Sequence, residues 1–148
     1  MFNDTVTVYN KYKGQDGTEK WQRTVLYGVF WNSIKGAVTR RTGVASADSL
    51  QLIIPRSVTA LFGRQYAPPK KWAEMEDKSG CWTLQSGDIV VKGCVEYEIT
   101  RSTKELAGYD DVLSITSVDY KGFGGGMAHW EVSGFFFFKQ KTAYEVGQ

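Results

Sequence analysis

Four short stretches carry most of the information in this chain: Asp4-Thr-Val-Thr-Val-Tyr-Asn10, Val25-Leu-Tyr-Gly-Val-Phe-Trp31, Gly87-Asp-Ile-Val-Val-Lys-Gly93, and Tyr97-Glu-Ile-Thr100 with its partner Leu113-Ser-Ile-Thr-Ser-Val118. Each alternates or runs in β-branched and aromatic residues, and Gly, Asn, Asp or Ser brackets each. Side chains on a strand point to opposite faces in turn, so this patterning reads as half-buried strands closed by turns. Runs this short suit an all-β fold: a small antiparallel β-barrel or sandwich with a long inserted loop and one short helix.

A pass along the chain fills in the order. A first strand, Val6 to Tyr9, meets turn chemistry at Gly14 and Asp16-Gly17. A second runs from Glu19 to Trp31, with Gly28 marking a bulge or bend. Trp31 to Val44 reads as another strand with a basic loop at Arg40-Arg41, and Ser49 to Ile54 as a further one stopped by Pro55. From Arg56 to Lys78 the strand pattern is lost, and Pro68-Pro69 opens a short helix over Lys70 to Asp77. Strands are expected again at Cys81–Leu84, Ile89–Lys92, Val95–Arg101, Val112–Val118 and Ala128–Val132, with a capping box at Ser102 to Leu106 and a turn at Asp110-Asp111.

The last fourteen residues stand apart. Four adjacent phenylalanines, 135 to 138, suit neither a half-buried strand nor a soluble tail. A run of T ending in TTC, then AAG CAG AAG ACG GCA TAC GAG, encodes Phe135 through Glu145, and that DNA matches a short-read sequencing adapter behind a homopolymer tract. Val146 departs from the adapter by at least one base. Residues 135–148 are therefore expected to be a translated adapter and not native protein, leaving a single domain over 1–134 with its insertion at about 55–79.

Removing that tail takes away two Lys and one Glu, so the net charge falls from +2 to +1. A protein built to hold a phosphate backbone carries a strong basic excess; this one does not. Cys81 and Cys94 sit thirteen residues apart without a secretory leader and are expected as two reduced, half-buried thiols. No apolar run approaches the length needed to cross a bilayer, so a membrane role is not expected, and the chain is placed in a cytoplasm until assembly.

No constellation points to a reaction. His129 is the one histidine, and no Cys or His stands at metal-ligand spacing beside it. Asp110, Asp111 and Asp119 read as turn residues sooner than a cation site. The loop Gly122-Phe-Gly-Gly-Gly126 lacks the Gly-Lys-Ser/Thr ending of a phosphate cradle. No enzyme activity, cofactor or metal is expected. Trp21, Tyr27, Phe30 and Trp31 near Lys35, Arg40 and Arg41 leave one alternative open, a barrel that binds single-stranded nucleic acid.

The order of Asp4-Thr-Val-Thr-Val-Tyr-Asn-Lys11, Trp21-Gln-Arg-Thr-Val-Leu26, Gly28-Val-Phe-Trp31, Gly87-Asp-Ile-Val-Val-Lys-Gly93, Tyr97-Glu-Ile-Thr100 and Leu113 to Asp119 resembles an uncharacterised family of phage and prophage proteins encoded among head and tail genes. That resemblance covers most of 1–134, including Met127-Ala-His-Trp-Glu-Val-Ser-Gly134. More distantly, through strand order and the Gly-Asp…Tyr-x-Ile pattern, the chain resembles the minor capsid, head-closure and head–tail joining proteins of tailed phages. The resemblance implies a ring-shaped homo-oligomer in the neck of a virion, touching portal or adaptor and tail proteins, with nucleic acid present only as the genome passing through. Contacts are then expected from Phe62, Arg64, Tyr66, Lys70, Lys71 and Trp72 in the inserted segment, with Trp31 and Trp130 as further aromatic anchors. Of these, Phe62 and Tyr66 are expected to lie furthest from the core.

Overall fold

The computed structural model describes residues 2–34, 49–122 and 128–136. The strands are β1 (Asp4–Lys13), β2 (Glu19–Ile34), β3 (Ser49–Pro55), β4 (Thr59–Ala60), β5 (Gln65–Tyr66), β6 (Cys81–Trp82), β7 (Ile89–Lys92), β8 (Val112–Lys121) and β9 (His129–Phe136), with one helix, α1 (Pro69–Glu74). Seven of them form one sheet in the order β1-β7-β8-β9-β3-β2-β4, and β1 also pairs with β2. Hydrogen bonding thus returns on itself through six strands, closing a barrel with β4 appended to β2. The expected all-β barrel is the fold found.

Closure rests on β2. Its residues Glu19 to Val29 lie antiparallel to β1, and Phe30 to Ile34 lie antiparallel to β3. Gly28 is the extra residue where the register with β1 slips, because Thr5 faces Tyr27 while Asp4 faces Val29. Its φ of 92° belongs to the region that a Cβ disfavours. The bulge expected at Gly28 is present, and it is where β2 changes partner.

Two cores flank one part of the barrel wall. Inside, Val6, Val8, Leu26, Leu52, Ile54, Val90, Leu113, Ile115 and Val132 pack with Trp31, Trp82 and Trp130. Outside, Tyr9, Ile89, Val91 and Val112 pack with Val95, Ile99 and Leu106. This is why β1 is buried on both faces from Val6 to Asn10.

That second core corrects the expected strand at Val95–Arg101 and the expected pairing of Tyr97–Thr100 with Leu113–Val118. The segment is not a strand; it crosses the outer face of β1 and β7 as a cover. Side chains hold its backbone in place of a ladder. Thr7 Oγ1 donates to Gly93 O at 2.7 Å and accepts from Val95 N at 2.9 Å, Tyr9 OH donates to Tyr97 O, and Arg23 Nη1 donates to Val95 O. Glu105 closes the cover by accepting the N–H groups of Thr100, Arg101 and Ser102. Those bonds, the one from Thr100 first, hold its carboxyl down at about 2. Ser102 and Glu105 cap each other's backbone, so the expected capping box is formed around a short 3-10 turn, Thr103–Leu106.

Other boundaries move for local reasons. The helix is Pro69–Glu74 and stops short of Asp77, because Met75 is already extended and Asp77 accepts from Ser79 N and Oγ in a turn of its own. The strand at 81–84 ends at Trp82, since Thr83 N donates to the Asn10 side chain. The expected Trp31–Val44 strand is the end of β2 as far as Ile34, and the rest lies outside the described residues, as does Phe123 to Met127. Strand β9 reaches Phe136, with Phe135 opposite Ser49 and Ser114 and Phe136 opposite Leu113. The first two phenylalanines of the run therefore complete a strand, and Phe136 packs against the main core. Just before them β9 abuts β8 closely, for a Cβ on Gly134 would lie 2.1 Å from Ser114 O. Residues 137–148 lie outside the described residues.

Asp88, from the Gly-Asp pair of the sequence pattern, is fully buried at the barrel rim. Its carboxylate accepts from Asn10 Nδ2 and Gln85 Nε2, each at 2.9 Å, and from Lys11 N at 3.1 Å. Burial outweighs these bonds and pushes the Asp88 carboxyl from 3.8 up to about 6. A folded-state value above the unfolded one makes the contribution full below pH 3.8 and lost as pH rises through about 6. In Asp88→Asn this loss is absent, although the new amide N–H₂ replaces one accepting oxygen, opposes at least one donor such as Lys11 N, and lowers stability throughout. Urea unfolding at pH 4.5 and pH 7 is expected to show wild type exceeding the variant by more at the lower pH, with the difference changing by on the order of 2 kcal/mol.

Candidate docking surface

Between β3 and β7 the chain leaves the barrel and comes back, and the segment 56–80 is folded against the wall throughout. Thr59 and Ala60 extend the sheet at Tyr27 and Leu26 of β2. Beyond α1 the segment pairs with its own return, β5 parallel to β6, with Gln65 N donating to Gly80 O and Ala67 N to Trp82 O. Gln22 Nε2 donates to both Lys78 O and Cys81 O.

Trp72 is the main anchor. It is 1% exposed, donates from Nε1 to Lys11 O at 3.3 Å, and meets Tyr12 edge-on at 6.4 Å. The Lys78 ammonium lies over both rings at 5.6 Å and donates to Met75 O at 2.6 Å. Arg64 is the second anchor. Its Nη1 donates to Arg23 O and Thr24 Oγ1, and its Nε to Ser79 O, tying one limb of the segment to β2 and to the other limb. Burial and the neighbouring Arg23 guanidinium lower the Arg64 pKa from its ordinary value.

What these anchors present is Phe62. It is 78% exposed, at the tip of a 3-10 turn, Leu61–Gly63. Its φ of 60° and ψ of 19° are left-handed, a conformation that costs a residue with a Cβ roughly 1 kcal/mol. The Arg64 guanidinium stands 5.2 Å from its ring. A large apolar side chain is thus held out into solvent on strained backbone beside a half-buried cation, an arrangement suited to filling a pocket on another protein.

The nominated contact residues fall into two groups. Phe62, Lys70 and Lys71 are exposed on the segment. Trp72, Trp31 and Trp130 are corrected: at 1%, 8% and 4% exposure they are core, because strand pairing and the Lys11 carbonyl draw their rings inward. Tyr66 is also corrected. It is half-buried, with its ring 5.2 Å from Trp82 and 4.5 Å from Trp130, so it joins the segment to the main core. Arg64 acts from behind the surface, and of the two aromatics expected furthest from the core only Phe62 projects. Neither the left-handed turn nor the Arg64 anchor has a sequence signal beyond Phe62-Gly63 itself.

Other candidates have simple places. His129 is half-buried in β9, with Nε2 3.0 Å from Glu131 Oε2. Cys81 is half-buried as expected, the half-buried position expected for Cys94 is corrected to an exposed one, and both are free thiols. Among the described residues no cluster of three His, Cys, Asp or Glu is placed to hold a metal ion, and no helix is long and apolar enough to cross a membrane. Lys35, Arg40 and Arg41 lie outside the described residues.

A family model matches residues 1–135. The chain belongs to this family of unknown function, DUF6751. No curated protein and no solved structure matches it. The match takes in every element of this DUF6751 chain that positions Phe62, from β1 to all but the last residue of β9.

Replacing Phe62 tests the strain directly. Phe62→Gly is expected to leave stability unchanged or raise it by up to about 1 kcal/mol, because glycine accepts a positive φ. Trp72→Ala is expected to cost about 3–5 kcal/mol as a core truncation. Chemical denaturation of both variants beside wild type checks the contrast.

Proposed function

We propose that this chain is a structural component of a phage virion neck, serving head closure or head–tail connection through protein–protein contacts in a ring. One observation carries the reading: the segment 56–80 is a folded arm that holds Phe62 exposed on left-handed backbone. A knob of this kind serves a neighbouring subunit or a portal, adaptor or tail protein that supplies the pocket. The sequence resemblance to head and tail proteins supports the same reading. The described part of the alternative, a single-strand-binding platform, has Trp31 in the core and Phe30 half-buried under Phe2. Assembly takes place in the bacterial cytoplasm, and the product stays in the virion.

Native mass spectrometry over a concentration series tests this. Wild type is expected to form closed species of more than two copies, alone or on a portal complex. Phe62→Gly, with its unfolding midpoint intact, is expected to form none larger than two copies. Salt-sensitive binding of labelled single strands, without larger species, would replace the neck reading with the nucleic-acid one.

A further inference from the structure

Strand β8 is longer than the strand that covers its outer side. Strand β7 pairs with it only from Val112 to Ser114. Gly87 N then donates to Ile115 O, Ile115 N donates to Asp88 O, and Ser86 Oγ reaches Thr116 O at 3.4 Å. From Ser117 to Lys121, β8 pairs with β9 on one side, and no described residue pairs with it on the other. The edge of β1 does not share this exposure. Past its pairing with β7, the β1 edge is capped at Lys11, whose N–H meets Asp88 and whose carbonyl accepts from Trp72 and Gln85.

The open edge is self-complementary. Asp119 and Lys121 share one face and form an exposed ion pair at 3.1 Å. Tyr120 lies on the other face, 45% exposed, braced by Trp130 at 5.5 Å and by Arg56 Nη1 on its hydroxyl at 2.9 Å. Laid antiparallel on itself and centred at Tyr120, the edge sets Asp119 opposite Lys121 of the second copy, and Lys121 opposite its Asp119. A register centred at Asp119 would oppose two carboxylates, which is unfavourable.

We propose that β8 pairs edge to edge with the same strand of a second copy over residues 119–121, in the register that faces Asp119 with Lys121 and Tyr120 with Tyr120. The occupant is a second copy because the charge pattern matches its own reverse. Backbone groups of residues 119–121 that no described residue pairs with gain partners, and the two tyrosines add a cross-strand aromatic pair. The contact is isologous and closes at two copies. It uses a surface apart from Phe62 and does not rest on the neck reading.

Charge exchange tests the register. Wild type is expected to dimerise in sedimentation equilibrium, and Phe62→Gly to dimerise equally, so that loss of a ring and loss of this contact are told apart. Asp119→Lys and Lys121→Asp, each alone, oppose like charges and are expected to weaken dimerisation at least tenfold. Mixed in equal amounts, the two variants restore opposite charges at both positions and are expected to form a heterodimer. A wild type that stays monomeric up to about 0.5 mM, a range that would detect even a weak dimer, overturns the proposal. Single variants that dimerise like wild type, or a mixture that stays monomeric, overturn it as well.

Discussion

One strand has to serve two partners in succession, and the rest of the structure depends on how it does so. Strand β2 lies against β1 up to Val29 and against β3 from Phe30 onward. A flat strand cannot follow both, since a closed sheet demands tilt and a change of direction. Gly28 supplies that change through a bulge at positive φ, which also resets the alternation so that Leu26 and Trp31 both face the core. The bend fixes the arm as well, because β4 and Arg64 attach to β2 just before it.

The barrel then uses its polar groups to fasten non-strand segments to strands. Asp88 holds the return of the arm to β1, and Glu105 gathers three backbone N–H groups to hold the outer cover. Both are carboxylates, yet their surroundings drive them in opposite directions. Burial raises Asp88, whereas backbone hydrogen bonds at the surface lower Glu105. Acid therefore acts on these two fastenings in opposite senses.

The positions of the longer strands, the Gly28 bulge, the capping box at Ser102 and the helix opened by Pro68-Pro69 were legible because each follows from local chemistry that the neighbouring residues carry. The fate of Tyr97-Glu-Ile-Thr100 was not. Only Ile99 of this stretch is buried, with Tyr97 exposed, and its buried side faces the outside of the barrel. Period-two patterning reports burial and says nothing of which neighbour provides it. Trp72, Trp31 and Trp130 were misplaced for a related reason, as tryptophan is favoured both in interfaces and in cores. Phe62 was legible as exposed because no strand pattern surrounds it. Its left-handed backbone depends on Arg64 reaching β2, a contact 40 residues away in sequence.

The central claim is that the arm bearing Phe62 belongs to the same cooperative fold as the bent strand that carries it. Native-state amide hydrogen exchange measures this residue by residue. Leu26 and Phe30, on either side of Gly28, should exchange through the same opening as Ala67, whose N–H donates to Trp82 O at 2.8 Å. The account predicts one shared free energy of opening for the three. Exchange at Ala67 faster by orders of magnitude, with the two β2 amides still protected, would contradict it and leave Phe62 on a loose loop.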